Sequence, residues 1–227
     1  MSIWARISAA ISSLAKGEGL GAVFEKLRAP PERSVAFTIA VIALGAKMAK
    51  ADGHVTRDEV SAFRQVFEIP RSEEANAARV FNLARQDVAG FEDYARRIRR
   101  MFTDDDQVLI DLMDGLFHIA VADGEYHPSE DAFLHRVAQI FGLDGRCFRS
   151  LKARHVANVP PDPYDVLGVA PATPIDQIRA AWHRAVKDCH PDRMQARGVP
   201  QEALMLANDR LIAVNAAWEE ISGQRAA

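Results

Sequence analysis

Apolar residues recur at three- and four-residue steps along most of this chain, the spacing that defines a helix face. Two stretches, 37–50 and 108–122, are apolar nearly all round and predict buried helices. Each runs into an Asp-Gly pair and then an amphipathic helix, marked by Val60, Phe63, Val66 and Phe67 in one copy and by Phe133, Leu134, Val137 and Ile140 in the other. The copies match further: Ala51-Asp52-Gly53 against Ala122-Asp123-Gly124, Glu59 against Glu130, Val66 against Val137, Ile69 against Ile140. With joining helices around 76–83 and 91–101, this internal helix-turn-helix repeat predicts a compact all-α domain over residues 30–158.

Pro160, Pro161 and Pro163 then mark a short, stiff linker. Behind it, Thr173-Pro174 and Asp176 start a helix whose Ile178, Ala181, Ala185 and Cys189 share one stripe. Pro191 stops that helix, because it lacks an N–H and clashes with the preceding turn. A polar loop is expected from Arg193 to Pro200, followed by a second helix with its stripe at Leu204, Ala207, Leu211, Val214, Trp218 and Ile221. The two make an antiparallel hairpin within residues 159–227. Residues 1–29 are a separate piece, in which Ile3, Trp4, Ile7, Ile11 and Leu14 fall on one helical stripe.

The candidate chemistry sits in that hairpin. His190, Pro191 and Asp192 at a helix end present an imidazole, a rigid ring and a carboxylate outward, and the carboxylate can pair with a partner's arginine. The plainer reading is that His190-Pro191 only caps the helix. Arg179, His183 and Lys187 line up at i, i+4 and i+8 on a face away from the apolar stripe, with Arg184 beside them.

Four blocks carry a resemblance: Pro163-Tyr164-Asp165-Val166-Leu167-Gly168-Val169, then Ile178-Arg179-Ala180-Ala181-Trp182, then His190-Pro191-Asp192-Arg193, then Val214-Asn215-Ala216-Ala217-Trp218-Glu219-Glu220-Ile221. In order and spacing they resemble the J domain of the DnaJ family. Ala196-Arg197-Gly198-Val199-Pro200-Gln201-Glu202 and Leu204-Met205 look like its DjlA branch, in which a J domain follows a TerB-like helical domain. The paired repeat over 30–158 resembles that TerB-like fold. The resemblance implies a co-chaperone that recruits a DnaK-type ATPase chaperone and stimulates its ATP hydrolysis through His190, Pro191 and Asp192. It further implies a contact surface of Arg179, Trp182, His183, Arg184, Lys187 and Arg193, and a client protein that the sequence does not name.

Asp52 with Glu59, and Asp123 with Glu130, place two carboxylates across each Asp-Gly turn, so calcium or another hard cation is the rival idea: an ion-binding stress-response module with the J-like part as accessory. Neither copy has EF-hand spacing, and turn and capping roles account for the same residues, Thr56-x-x-Glu59 as a capping box and Pro128 with Glu130 as a helix start. Arg96, Arg97, Arg99 and Arg100 precede Thr103-Asp104-Asp105-Asp106, so cations end one helix and acids start the next, which complements both dipoles without nucleic acid.

Composition changes the picture little. The chain has 227 residues, 48% hydrophobic and 26% charged, with a net charge of −3, which fits two soluble domains and gives no global attraction to nucleic acid. No Gly-rich phosphate loop, zincin motif or nucleophile elbow occurs, so the chain is expected to be a regulator and not an enzyme, with no cofactor. Cys147 and Cys189 have no metal or redox spacing, and Cys189 reads as a small core residue. No stretch reaches the ~18 apolar residues of a membrane-spanning helix. The expectation is a cytoplasmic protein, at most peripheral at the inner membrane, whose first helix either packs on the 30–158 domain or touches a membrane surface weakly.

Overall fold

A computed structural model describes residues 33–51, 90–103, 105–122, 124–156 and 162–226, with single positions at 3, 6, 7, 9, 69, 71, 74, 75 and 77–79. Among these residues the fold is all-α, as the periodicity predicts. The helices are α1 (Arg33–Ala51), α2 (Phe91–Met101), α3 (Asp106–Ala120), α4 (Pro128–Phe141) and α5 (Gly145–His155). After them come α6 (Pro163–Val166), α7 (Ile175–Asp188), α8 (Pro191–Arg197), a 3-10 turn (Gln201–Ala203) and α9 (Met205–Ala226).

Helix α3 is the hub of the first group and packs against α1, α4 and α5, while α2 lies on α1 and α4. Phe37, Leu44, Leu109, Leu112, Leu116, Phe117 and Phe141 are fully buried there, each stabilising the domain by about 1.5–3 kcal/mol in transfer free energy. The junction of α2 and α3 follows the charge pattern: Arg99 and Arg100 occupy the last turn of α2, and Arg99 Nη1 donates to Asp106 Oδ1 at 2.7 Å. After α3 the chain passes through Gly124, whose φ of 87° suits a residue without Cβ.

A second, smaller core joins α6, α7 and α9 through Val166, Leu167, Ile178, Val214, Ala217 and Ile221. Trp182 stacks on Trp218 beside it, with ring centroids 5.1 Å apart and nearly parallel planes, and its Nε1 donates to Asn215 Oδ1 at 2.9 Å.

Three features depart from the sequence pattern or cut across it. Of the stretch expected as a polar loop from Arg193 to Pro200, Arg193 to Arg197 belongs to helix α8, because Met194 and Val199 are apolar and buried, and Gly198, at φ 101°, closes the helix with the Val199 amide on the Met194 carbonyl. The larger core also runs across the expected 158/159 boundary, taking in Met194, Val199, Ala203, Leu206 and Ala207. Helix α9 therefore serves two cores, its first turns on α3 and its later turns on α6 and α7. Ile3 and Ile7 are buried in the larger core as well, whereas Trp4, Ile11 and Leu14 lie outside the described residues.

Candidate functional site

Pro191 does two things at once: it ends α7 and, as the first residue of α8, starts the next helix with a φ already suited to it. His190 becomes the N-cap of α8. Its Nδ1 accepts the Asp192 amide at 3.2 Å, which fixes the ring at the start of α8 and leaves Nε2 as its other hydrogen-bonding atom. The His190 side chain is 60% exposed and that of Asp192 87%, with their ring nitrogen and carboxylate 3.8 Å apart. The capping reading and the outward reading of this turn therefore describe the same geometry: the cap fixes the ring, and the fixed ring and carboxylate face solvent.

The other expected contact residues divide by exposure. Arg179, His183, Arg184 and Lys187 are exposed along α7, and Arg193 is exposed and held by Asp188 at 3.0 Å. Trp182 is half-buried by its stack on Trp218, whose ring also carries the Arg179 guanidinium at 5.6 Å. Trp182 thus supports the face from below. At the other end Arg184 borders a cleft of about 300 Å³ that it shares with Arg146 of α5, Gly168, Thr173 and Gln177.

Behind the turn lies a buried ionic cluster. Asp111 and Asp114, one turn apart on α3, are 0% and 2% exposed. Asp111 accepts Arg210 Nη1 at 2.8 Å and Arg197 Nη2 and Nε at 2.9 and 3.1 Å. Asp114 accepts Arg210 Nε and Arg154 Nη2, each at 3.1 Å, and lies 2.9 Å from His155 Nε2. Burial alone would raise the Asp114 carboxyl, but Arg210 first, then Arg154 and His155, outweigh it and hold the group well below its ordinary 3.8. Both carboxylates in turn outweigh the desolvation of Arg210 and keep it charged. Cys189, buried beside this region, has its thiol pushed up to about 11 by burial, which makes it an unreactive core residue.

Sequence reading missed this cluster. Its signal was two acids at i and i+3 inside a helix otherwise apolar nearly all round, and Arg210 inside the apolar stripe of α9. A charge at a buried position requires a buried partner.

Residues 38–153, just over half of the chain, match the family described as Tellurite resistance protein TerB. The chain belongs to the TerB family. Over its wider length it is similar to proteins named Co-chaperone protein DjlA: 25% identical to that of Photobacterium profundum over 92% of this chain and 85% of the relative, and 25% identical to that of Coxiella burnetii over 77% and 72%. The Escherichia coli K12 protein of the same name is 21% identical over 99% of both chains. The protein is DjlA-like with a TerB-like domain. No solved structure matches this chain.

In TerB terms, α3 and α4 frame the second Asp-Gly turn, and of the four cation candidates only Glu130 falls within the described residues. It is buried, and Glu130 Oε2 accepts the His127 amide at 2.8 Å, the reciprocal half of a capping box. Asp52, Glu59 and Asp123 lie outside the described residues. Among those described, no three His, Cys, Asp or Glu side chains gather as a metal site.

The location expected from the sequence is corrected. The relatives are named as co-chaperones without a compartment, and no described helix is long and apolar enough to cross a membrane. Neither finding assigns the chain to the cytoplasm or to the periphery of the inner membrane, and the paired absence of cysteine spacing and membrane span was too little to do so.

Proposed function

We propose that this chain is a co-chaperone that recruits a DnaK-type ATPase and stimulates its ATP hydrolysis through the His190-Pro191-Asp192 turn, with residues 159–227 as a J-like unit behind a TerB-like unit at 30–158. The observation that carries the reading is the turn itself: an imidazole and a carboxylate, 60% and 87% exposed, held in fixed relation by a proline-started helix although neither is needed by either core. Groups ordered in advance and left in water suit a partner, since their ordering entropy is already spent before binding.

In this reading the Asp192 carboxylate accepts a charge-assisted hydrogen bond from a basic group of the ATPase, and His190 Nε2 donates beside it. The exposed cations Arg179, Arg184, Lys187 and Arg193, with the His183 imidazole among them, lie along α7 and the start of α8 and favour an acidic approach surface. The hydrolysis is the partner's chemistry, so this chain regulates an enzyme without being one. Names of full-length relatives as co-chaperones support the same reading.

The test is ATP turnover by a purified DnaK-type chaperone with and without this protein. His190→Gln and Asp192→Asn are expected to abolish stimulation while leaving helicity intact, with melting lowered only by the loss of the His190 cap in the first variant. Full stimulation by either variant overturns the proposal.

A further inference from the structure

One guanidinium connects the exposed turn to the TerB core. Arg197, at the end of α8, places Nη2 2.9 Å from the carbonyl oxygen of Asp188, the last residue of α7, and the same Nη2 with Nε against Asp111 Oδ2 of α3. Its side chain is 12% exposed and that of Asp111 is fully buried. Met194, one turn earlier on α8, is likewise fully buried in the larger core. The two ends of the His190–Asp192 turn, the last carbonyl of α7 and the helix α8, are therefore both tied to α3.

We propose that Arg197 is a positioning residue, which fixes the His190-Pro191-Asp192 turn against the TerB domain by bridging the Asp188 carbonyl and the Asp111 carboxylate. The inference rests on the function proposed above for its consequence, though its geometry stands alone. A planar fork with Nε and Nη donors suits such a bridge, because it satisfies a helix-terminal carbonyl that has no intrahelical partner and pairs with a buried acid at the same time. The bridge raises the fraction of molecules with the turn in its binding-ready arrangement. It contributes nothing to the contact itself, so its loss acts on apparent affinity and leaves the stimulated rate at saturation unchanged.

Arg197→Gln is the informative variant, because Asp111 keeps Arg210 and the core retains a paired acid. In the full chain, exchange of the amides of 189–194 other than Pro191 is expected to accelerate about tenfold, the scale of losing one hydrogen bond to a charged group. The concentration of co-chaperone that half-saturates ATPase stimulation should rise several-fold while maximal stimulation stays at the wild-type value. Arg197→Lys keeps the cation but loses the fork, and is expected to fall between wild type and Arg197→Gln in both readouts. Arg154→Gln is the control: it removes a partner of Asp114 in the same cluster without touching Asp188 or α8, so it should lower melting without accelerating exchange at 189–194. Unchanged exchange at 189–194 in Arg197→Gln, or equal acceleration in Arg154→Gln, overturns the inference. Exchange needs no ATPase, so it reports on the bridge even if wild-type protein fails to stimulate and the co-chaperone reading falls.

Discussion

Two sets of aspartates in this molecule live under opposite conditions. Asp111 and Asp114 are sealed inside the larger core against Arg197, Arg210, Arg154 and His155, whereas Asp192 stands in water 3.8 Å from His190. A buried carboxylate must be paired, so the first set tells where segments far apart in sequence are locked together. An exposed carboxylate on a preordered turn does no such work, and its fixed position gains meaning only from what binds there. The contrast separates the charges that hold the α8–α9 segment on the TerB helices from the charge proposed to meet a partner.

The comparison breaks most sharply at Asp114. Asp114→Ala leaves Arg154 and His155 without their buried acid and Arg210 with only Asp111, so a loss of about 3–5 kcal/mol is expected, the range for removing one partner of a buried ion pair. Chemical denaturation followed by tryptophan fluorescence reads it through Trp182 and Trp218. A loss below about 1 kcal/mol would mean that the cluster is open to water.

Acid probes the same site without mutation. The folded Asp114 carboxyl lies below its ordinary value of 3.8, so its stabilising contribution is fully present above that value and disappears as pH falls through the lower, folded value. Asp131 adds in the same direction: burial raises it, but Lys152 and Tyr126 lower it further. The denaturation midpoint is expected to be flat above about pH 5 and to fall steeply below about pH 4, with a shallower acid limb in Asp114→Asn. An identical limb in that variant would assign the acid sensitivity to other groups.

The sequence made some of this legible and hid the rest for physical reasons. Helix α7 and the later turns of α9 each bury one face, so Ile178, Ala181, Val214 and Ile221 announced them. The short α8 has two turns and no room for periodicity, and only its buried Met194 and its glycine stop distinguish it from a loop. Asp111 and Asp114 were submerged in an apolar helix, and their partners Arg197 and Arg210 lie 86 to 99 residues away, a distance no local pattern spans. The turn was visible because a helix junction is built from neighbouring residues: His190 caps, Pro191 starts, Asp192 projects. The Asp-Gly turns, weighed as a rival cation site, are a different case, since one acid, Glu130, takes part in a cap and the other three lie outside the described residues.

The smallest expected effect sharpens the comparison from the other side. Asp192→Asn changes a charge of the same type as at Asp114, in the first turn of a helix where an acid favours the dipole. That interaction is exposed, and the capping hydrogen bond to His190 Nδ1 comes from the Asp192 backbone amide, which asparagine retains. The stability cost should therefore stay below about 1 kcal/mol, several-fold less than at Asp114. The same denaturation experiment measures it, run beside the ATPase assay on one preparation. Stability kept while stimulation is lost would place the role of Asp192 in contact with a partner. A loss of about 2 kcal/mol or more would show that the turn carries weight in the fold, and the division between holding and meeting charges would fail at the residue that defines it.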